Sequence, residues 1–396
     1  MRILVLTPTF LPALGGAELV ILQVFRRLAR RHTVLVLTPH LSQKILESSS
    51  SKEYDRLINF KVSRYHDRLT MFRVRGHRLT RGLIPPFSLS AVSAVKRAAG
   101  EFRPHVMNVH YVMPTGLAGL YAQRFLRVPC VITYNGRDVP GPGVPPLWKY
   151  WHRFVGLGCA DMTFVSGYCR DVIYGSSSHH GHVIYNGVEE PVPVSYEQLA
   201  SFRARFDIPR KAPVLFALQR VDALKRIDVI IRSMPGILTR EPEARLIIGG
   251  KGEDLERLKC LAVELGIEGR VIFPGFIPDG EIPVYQMAAD LFLFHSTFET
   301  FGIVLAEAMN YEKAVVSVSN TAIREVVDNG HTGLLVPTLD HRAFAQAVLE
   351  LIRDRPQREE MGRRGYEKVK RLFLWDAIAG QYESVLESAA FGESLP

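Results

Sequence analysis

The sequence is poor in cysteine and contains no long apolar run. Its 396 residues include four cysteines, whose spacing fits neither a zinc site nor a dense disulfide framework. No apolar stretch reaches the roughly 18 to 20 residues that a membrane-spanning helix needs. The opening MRILVLTPTF is too short for the apolar region of a signal peptide and predicts a first β-strand instead. We therefore expect a protein of the reducing cytoplasm.

Several motifs of catalysis and cofactor binding are also missing. The chain has no Walker A loop and no G-x-S-x-G elbow, which argues against P-loop and α/β-hydrolase chemistry. It has no Asp-x-Asp pair, so we expect no divalent-metal site for a diphosphate. The glycine pair after the first predicted strand lacks the G-x-G-x-x-G fingerprint of dinucleotide-binding proteins.

The net charge of +9 is unevenly distributed. Residues 1–190 hold 24 Lys and Arg against 11 Asp and Glu, whereas residues 191–396 hold 25 against 29. A basic first half suits an anionic partner such as a membrane surface, a phosphorylated substrate or nucleic acid. Arginines scattered over a solvated surface would give the same count, so composition leaves the partner open.

Short apolar, β-branched runs alternate with amphipathic helical patterns, which predicts α/β domains with parallel sheets. A Gly- and Pro-containing stretch at 186–198 interrupts the rhythm, which then restarts. We predict an N-terminal Rossmann-like domain over 1–190 and a C-terminal one over 191–372. A final helix in 373–396 is expected to pack back on the first domain. Two such domains facing each other would line a central cleft with the strand ends, where open parallel sheets bind ligands.

Two groups of candidate residues follow the first strands of the two predicted domains. Gly15 and Gly16 open a helix, where backbone can approach a ligand and free N–H groups can meet an anion. A plain tight turn would use the same glycines. Arg220 and Lys225 follow the first strand of the second domain, and two cations at a strand end suit a diphosphate. A pair of solvated surface cations is the alternative.

The stretch FHSTFETFGIVLAEAMN (294–310) holds two glutamates eight positions apart. Glu299 precedes a predicted helix that begins near Gly302, and Glu307 lies about two turns into that helix. N–H groups at the helix start would hold a phosphate, and the carboxylates would accept hydrogen bonds from sugar hydroxyls. A helix cap at Glu299 and a surface role for Glu307 are the alternative, but the apolar neighbours of Glu307 argue against a solvated face.

A third group lies in the first half of the chain. His110 ends a predicted strand, and Asn135 and Asp138 follow the next strand. Polar groups just past strand ends are placed to contact a bound acceptor or sugar. A structural histidine would fit the same pattern, so both interpretations of His110 stay open.

The chain resembles the family 4 glycosyltransferases, which are retaining enzymes of the GT-B fold that use nucleotide sugars. The resemblance covers nearly the whole chain. It rests on GGAE (15–18), NVHYVMPTG (108–116), TYNGRDV (133–139), IYNGVE (184–189) and LQRVDALKRIDVII (218–231). The most specific block is FPGFIPDGEIPVYQMAADLFLFHSTFETFGIVLAEAM (273–309), which contains the pair of glutamates.

The resemblance implies a role for each candidate residue. Arg220 and Lys225 would bind the donor diphosphate, Glu307 the ribose, and Glu299 the transferred sugar. The other donor-binding residues would be Gly15, Gly16, Phe276, Ile277, Thr300, Phe301 and Gly302, with Phe276 and Ile277 holding the base through their backbone. His110, Asn135 and Asp138 would join Glu299 as catalytic candidates. The resemblance implies no metal and no cofactor apart from the UDP- or GDP-linked sugar itself.

One position departs from the family pattern. Many members carry histidine where Asn135 stands, and an asparagine can form hydrogen bonds but cannot shuttle a proton. A family mechanism that needed a base there would leave this chain inactive or dependent on another group. His110 is the remaining histidine closest to the expected cleft.

The resulting hypothesis is a metal-independent retaining glycosyltransferase. It would move a hexose from a UDP- or GDP-sugar to a glycan, lipid-linked or small-molecule acceptor, with no nucleic acid as partner. A sugar-nucleotide epimerase or a phosphorylase of the same fold, or a non-catalytic sugar-nucleotide-binding subunit, are the alternatives. The segments 68–87 and 143–154 mix cations with aromatic and aliphatic residues, which suits a peripheral position on an anionic inner membrane surface as well as an ordinary half-buried loop.

Overall fold

The chain forms two compact units. The computed structural model describes residues 1–13, 15–41, 52–67, 70–71, 87–136, 139, 141, 147–176 and 180–392. Unit 1 comprises Met1–Asn186 together with Trp375–Pro396, and unit 2 comprises Gly187–Leu374. The sequence predicts boundaries after residues 190 and 372, and the chain passes between the units after Asn186 and after Leu374.

Unit 1 is built on a parallel sheet. In chain order its strands are β1 (Arg2–Leu6), β2 (Thr33–Pro39), β3 (Lys61–Tyr65), β4 (Thr70–Met71), β5 (Phe87–Ser88), β6 (Val106–His110), β7 (Cys130–Tyr134), β8 (Asp161–Phe164) and β9 (His182–Val183). Seven of them form the sheet in the order β3-β2-β1-β6-β7-β8-β9, and β4 pairs with β5 in a small antiparallel ribbon. The described pairings of the large sheet are all parallel.

Helices cover both faces of this sheet. They are α1 (Gly16–Leu28), α2 (Lys52–Asp55), α3 (Leu89–Phe102), α4 (Gly116–Tyr121), α5 (Trp148–Leu157) and α6 (Gly167–Tyr174). Side chains alternate across a strand, so Ile3 and Val5 of β1 enter one apolar core while Leu4 and Leu6 enter the other. Burial on both faces explains why these strands read as continuous apolar runs.

Unit 2 repeats the architecture. Its strands are β10 (Val214–Leu218), β11 (Arg245–Gly249), β12 (Val271–Gly275), β13 (Leu291–Leu293), β14 (Val315–Val318) and β15 (Gly333–Val336). They form a parallel sheet in the order β12-β11-β10-β13-β14-β15. The helices are α7 (Tyr196–Arg205), α8 (Ile227–Leu238), α9 (Leu255–Glu264), α10 (Ile282–Ala288), α11 (Ile303–Asn310), α12 (Ile323–Val326), α13 (His341–Arg353) and α14 (Arg355–Leu372). The prediction of two parallel-sheet α/β domains is confirmed.

The last helix, α15 (Trp375–Phe391), completes unit 1. Trp375 and Tyr382 are almost fully buried in the core that also receives alternate residues of β1. Ion pairs add to this packing, because Asp376 lies 2.5 Å from Arg27 of α1 and Glu383 contacts Arg31. At the base of the helix, Leu374 and Val188 of unit 2 form a parallel bridge, so the two segments that join the units run side by side.

Within the part of the chain that the structure describes, no helix is both long enough and apolar enough to cross a bilayer.

The packing of α15 predicts a graded loss of stability at Tyr382. Its hydroxyl bonds the hydroxyls of Thr133 and Thr163, and burial raises its pKa to about 12. We expect Tyr382→Phe to cost about 1 kcal/mol, because the two threonines keep their mutual 2.8 Å bond. Tyr382→Ala should cost about 3–5 kcal/mol through the cavity it leaves. Urea unfolding measures both changes, and equal costs for the two variants would contradict this placement of the ring.

Candidate functional site

The carboxyl ends of β10 and β13 lie side by side in the sheet of unit 2. The strand order reverses between these strands, which is where open parallel sheets bind ligands. The loops that follow them are tied together, since the backbone N–H and the hydroxyl of Thr297 both donate to the carbonyl of Leu224, at 2.9 and 3.1 Å. Segments far apart in the sequence therefore form one surface.

An ion pair joins these two loops. Nζ of Lys225 lies 2.6 Å from Oε2 of Glu299, and the two side chains are only 16% and 17% exposed. Lys225 ends a short 3-10 turn whose first residue follows Asp222, and the Asp222 carboxylate accepts a hydrogen bond from the N–H of Leu224. The Lys225 ammonium also lies 5.5 Å from the centre of the Phe294 ring. The positive charge is thus held in place from several sides.

Helix α11 begins beside this ion pair, and the residue that precedes it is a glycine. Gly302 has φ of 90°, a left-handed conformation that L side chains rarely adopt, and no side chain caps the helix. A Cβ on Gly302 would lie 2.9 Å from Cδ1 of Leu305 and 3.5 Å from Cγ of Glu299. The first N–H groups of a helix have no intrahelical partner and carry its positive dipole end. Lys225 and these amides together can hold an anion.

The two residues before Gly302 anchor the loop. The N–H of Thr300 donates to Oε1 of Glu299 at 3.3 Å. Phe301 is buried, with its ring edge-on to Phe373 at a centroid distance of 5.3 Å. Both residues can act on a ligand only through their backbone or, for Thr300, through a short hydroxyl. Donor binding by Thr300, Phe301 and Gly302 stays a prediction.

Arg220 lies in the same loop as Lys225 but is held differently. Its guanidinium pairs with Asp222 at 2.9 Å, and its side chain is 64% exposed. The structure therefore joins Lys225, Glu299 and Gly302 in one cluster and leaves Arg220 at the outer side of the loop. An exposed arginine on a weak surface ion pair can change partner when an anion arrives.

Glu307 lies further along α11 and has an altered acidity. It is partly buried, and burial raises the pKa of its carboxyl to about 7, with a further contribution from the negative charge of Asp279. Asp279 follows β12, so the carboxylate of Glu307 lies within electrostatic range of the loop that carries Phe276 and Ile277. A carboxyl with this pKa exchanges its proton near neutral pH.

The loop after β12 presents one exposed and one buried side chain. Phe276 is 47% exposed, and Nζ of Lys251 lies 5.4 Å from the centre of its ring. Ile277 is buried against β11, where a Cβ on Gly249 would lie 2.4 Å from Cδ1 of Ile277. An exposed aromatic ring with a cation beside it can stack on a flat base.

Sequence reasoning missed the run GGKG (249–252). Gly250 has φ of 130°, and a Cβ there would lie 1.9 Å from the carbonyl oxygen of Gln219. A Cβ on Gly252 would lie equally close to the carbonyl oxygen of Val221. These glycines let the loops after β10 and β11 touch and place Lys251 at the strand ends. Three glycines and a lysine directly after a predicted strand were the available signal.

The candidates of unit 1 form a separate group. His110 is fully buried, and burial lowers its pKa to about 4, so its ring is neutral at neutral pH. Its Nδ1 lies 3.1 Å from Nδ2 and 3.3 Å from Oδ1 of Asn135. The ring contacts the amide of Asn135, and the predicted contact of His110 with a substrate stays a prediction. Asp138 lies outside the described residues.

The glycine pair of unit 1 adjoins a buried carboxylate. Gly15 is extended and precedes α1, and a Cβ on it would lie 2.7 Å from Oε2 of Glu18. Glu18 is buried and accepts a hydrogen bond from the hydroxyl of Thr9. A side chain at the first glycine of the GGAE stretch would therefore collide with Glu18. The sequence analysis did not identify the buried Glu18 as a candidate. Gly16 is the first residue of the helix.

Both halves of the chain match families of glycosyltransferases. The model of Glycosyltransferase Family 4 matches residues 14–190, and that of glycosyl transferases group 1 matches residues 200–368. The chain is 24% identical over 383 residues to N-acetyl-alpha-D-glucosaminyl L-malate synthase of Bacillus anthracis, covering 95% of each protein. It is 28% identical over 369 residues to a GDP-mannose-dependent alpha-(1-6)-phosphatidylinositol monomannoside mannosyltransferase of Mycolicibacterium smegmatis, covering 91% of each.

Solved structures show the same architecture. HepE of Anabaena, crystallised with UDP, superposes with a TM-score of 0.79 over 98% of this chain and 100% of that one, at 19% identity. At this level of identity the likeness is one of fold.

The acidity of Glu307 predicts a pH-dependent effect of its removal. Below about pH 4.5 the carboxyl is protonated in both the folded and the unfolded chain. Between pH 4.5 and about 7 the unfolded chain ionises first, so the wild type loses stability as the pH rises. We expect Glu307→Gln to gain stability relative to wild type over this range and to keep a constant advantage above it. Urea unfolding at several pH values measures the difference.

The exposed Glu253 of the same unit provides a matched control through Glu253→Gln. A stability difference between Glu307→Gln and wild type that is the same at pH 4 and pH 8 would show that the Glu307 carboxyl keeps its ordinary acidity.

Proposed function

The chain belongs to the family 4 glycosyltransferases and has their GT-B fold of two parallel-sheet domains, and on this basis we propose that it is a retaining, metal-independent hexosyltransferase using a UDP- or GDP-sugar. The observation that carries the proposal is the cluster of Lys225, Glu299 and Gly302 at the strand ends of unit 2. The cation and the start of the helix suit the phosphate of such a donor. The carboxylate beside them suits the hydroxyls of its sugar.

The diphosphate of the donor would be held by fixed positive charge. Its leaving oxygen gains negative charge as the bond to the sugar breaks, and charges already in place stabilise that change without reorganisation. Lys225 and the first amides of α11 provide this at the inner end of the loop. Arg220, on its exposed pair with Asp222, would close over the phosphates from outside.

The two glutamates would hold the sugars on either side of the diphosphate. A carboxylate accepts hydrogen bonds from hydroxyls, and Glu299 already faces the start of α11, where the transferred sugar would lie. Glu307 would accept from both ribose hydroxyls. A ligand that donates two hydrogen bonds favours the ionised carboxylate, so donor binding should draw the raised pKa of Glu307 downward.

The proton of the acceptor hydroxyl would be taken by the leaving phosphate of the donor. Among the described candidates of unit 1, His110 is buried and neutral and Asn135 cannot take a proton. The acceptor hydroxyl would attack the anomeric carbon from the face that the phosphate leaves. The bond from that carbon to the phosphate breaks as the new glycosidic bond forms, and the departing phosphate oxygen takes the hydroxyl proton.

The donor site is tested by Lys225→Ala. Loss of a preorganised charge at a leaving group costs on the order of 100- to 1,000-fold in turnover, and we expect a fall of this size in nucleoside diphosphate release from UDP- and GDP-sugars. Lys259→Ala removes an exposed lysine of α9 in the same unit and should leave turnover unchanged. Full activity of Lys225→Ala would contradict the proposal. Donor binding without release by the wild type, with every acceptor tried, would favour the non-catalytic subunit.

For the acceptor, we propose a lipid-linked molecule at an anionic membrane surface. Helix α5 and the residue before it expose Leu147, Tyr150, Phe154 and Leu157, with exposed fractions of 39, 66, 59 and 57%. Spacings of three and four place these side chains on one helix face, opposite the buried His152. An apolar stripe on a strongly basic half of the chain suits binding in a bilayer interface. The Mycolicibacterium relative named above for a phosphatidylinositol acceptor supports this choice.

The membrane proposal is tested by sedimentation with liposomes that contain phosphatidylglycerol. The wild type should pellet at low salt and be released at high salt, since charge attraction is screened. The double variant Tyr150→Ser and Phe154→Ser should bind at least about tenfold more weakly, because burying even one aromatic side chain is worth roughly 1.5–3 kcal/mol. Phe125→Ser, which alters a 70% exposed ring outside the stripe, is the matched control. A wild type that stays in the supernatant at low salt would rule out the membrane surface.

A further inference from the structure

Unit 2 contains a ligand-sized cavity whose lining includes none of Lys225, Glu299 and Gly302. Its volume is about 980 Å³, within the usual size of small-molecule sites. It lies between the segment Pro191–Val194, the end of α11 and the first turns of α14. Residues 311–313 lead from α11 into β14, and Met287 lies in the last turn of α10, just before β13. The cavity is therefore at the amino ends of these strands.

The residues that line this cavity include Asn310, whose side-chain oxygen is a hydrogen-bond acceptor without a partner. Asn310 is 3% exposed, and its Nδ2 donates to the carbonyl of Glu189 at 2.8 Å, which fixes the orientation of the amide. Its Oδ1 has no hydrogen-bond partner in the part of the chain that the structure describes. An unsatisfied buried oxygen costs about 1–3 kcal/mol. A donor from outside the chain would remove this cost.

The other open groups at this end of the cavity are also acceptors. Glu312 is exposed, and its carboxylate makes no hydrogen bond or ion pair with a described residue. The carboxyl-terminal end of α11 adds the negative end of a helix dipole. The hydroxyl of Tyr311 accepts from the N–H of Val192 at 2.9 Å, which places the tyrosine against the extended segment.

The cations in the lining are already engaged. Nζ of Lys313 donates to the carbonyl of Met287 at 3.2 Å, and burial lowers the pKa of this lysine. Arg363 is held by the carboxylates of Glu360 and Glu367 on α14. The remaining lining carboxylate, Glu359, pairs with Arg355 at 2.7 Å. The groups left to meet a ligand are therefore oxygen acceptors and the carboxylate of Glu312, which lies within electrostatic range of Arg363 and Lys313 but forms no close ion pair with a described residue. The lining as a whole carries one more carboxylate than cations.

From this arrangement we infer that the cavity binds a small molecule with a protonated amine, such as an amino sugar or a polyamine. The ammonium donates to Oδ1 of Asn310 and pairs with Glu312, and the body of the molecule lies against Val192 and the rings of Tyr311 and Tyr366. Aromatic faces attract cations, as Lys370 over the Tyr366 ring at 5.9 Å already illustrates. The inference does not depend on the function proposed above.

Glucosamine and glucose form a matched pair of probes, since they differ in one ammonium group, and spermidine is a second amine. Isothermal titration and thermal melting of the full chain, with and without UDP and GDP, compare their binding. We expect glucosamine and spermidine to bind and to raise the melting temperature, with glucose inert, whether or not the nucleotides are present. Persistence of binding with saturating nucleotide separates this site from the strand ends.

Two surface substitutions locate the site. Glu312→Gln should weaken binding of glucosamine about tenfold or more, since a hydrogen bond to a charged group is lost. Val192→Trp places a large ring in the cavity from a position that is 57% exposed, and should abolish binding. Val263→Trp, at a 61% exposed position on α9, is the control and should bind as the wild type does. Equal binding of glucose and glucosamine, no binding of either amine, or full binding by Val192→Trp would each overturn the inference.

Discussion

The ion pair between Lys225 and Glu299 is the interaction on which the candidate site depends. Each charge is mostly withdrawn from water, and the attraction between them offsets the cost of that withdrawal. Gly302 turns the chain into α11 next to the pair, in a backbone conformation that L side chains rarely adopt and without a Cβ that would crowd Leu305. Removing either charge leaves the other buried and unpaired. The site is therefore organised for an anion next to a hydroxyl-bearing group.

Much of the fold could be predicted because it depends on local patterns. Parallel strands with helices on both faces must be apolar throughout, and that is how β1, β2 and β10 read. The strand ends could be predicted as the site for the same reason, since parallel strands all end at one edge. Lys225 and Glu299 were thus found 74 residues apart in the sequence.

What the sequence could not predict is which polar groups pair and which are buried. Arg220 and Lys225 look equivalent in the sequence, yet one is paired with Asp222 at the surface and the other with Glu299 inside. His110 ends its strand as a catalytic histidine would, but the packing of Phe25 against its ring helps to close it from solvent. These outcomes depend on loop conformation and on neighbours from distant segments, which no local pattern records.

The return of α15 to the first unit has a consequence for synthesis on the ribosome. Unit 2 is complete when Leu374 has been made, whereas unit 1 still lacks the helix that carries Trp375 and Tyr382. Domains that fold in order of synthesis normally finish from the amino terminus onward. Here the half that is translated first is finished last, so a nascent chain exposes the apolar face of α1 and its sheet until translation reaches the final helix. Chaperones that act on nascent chains would meet this protein through that uncovered face.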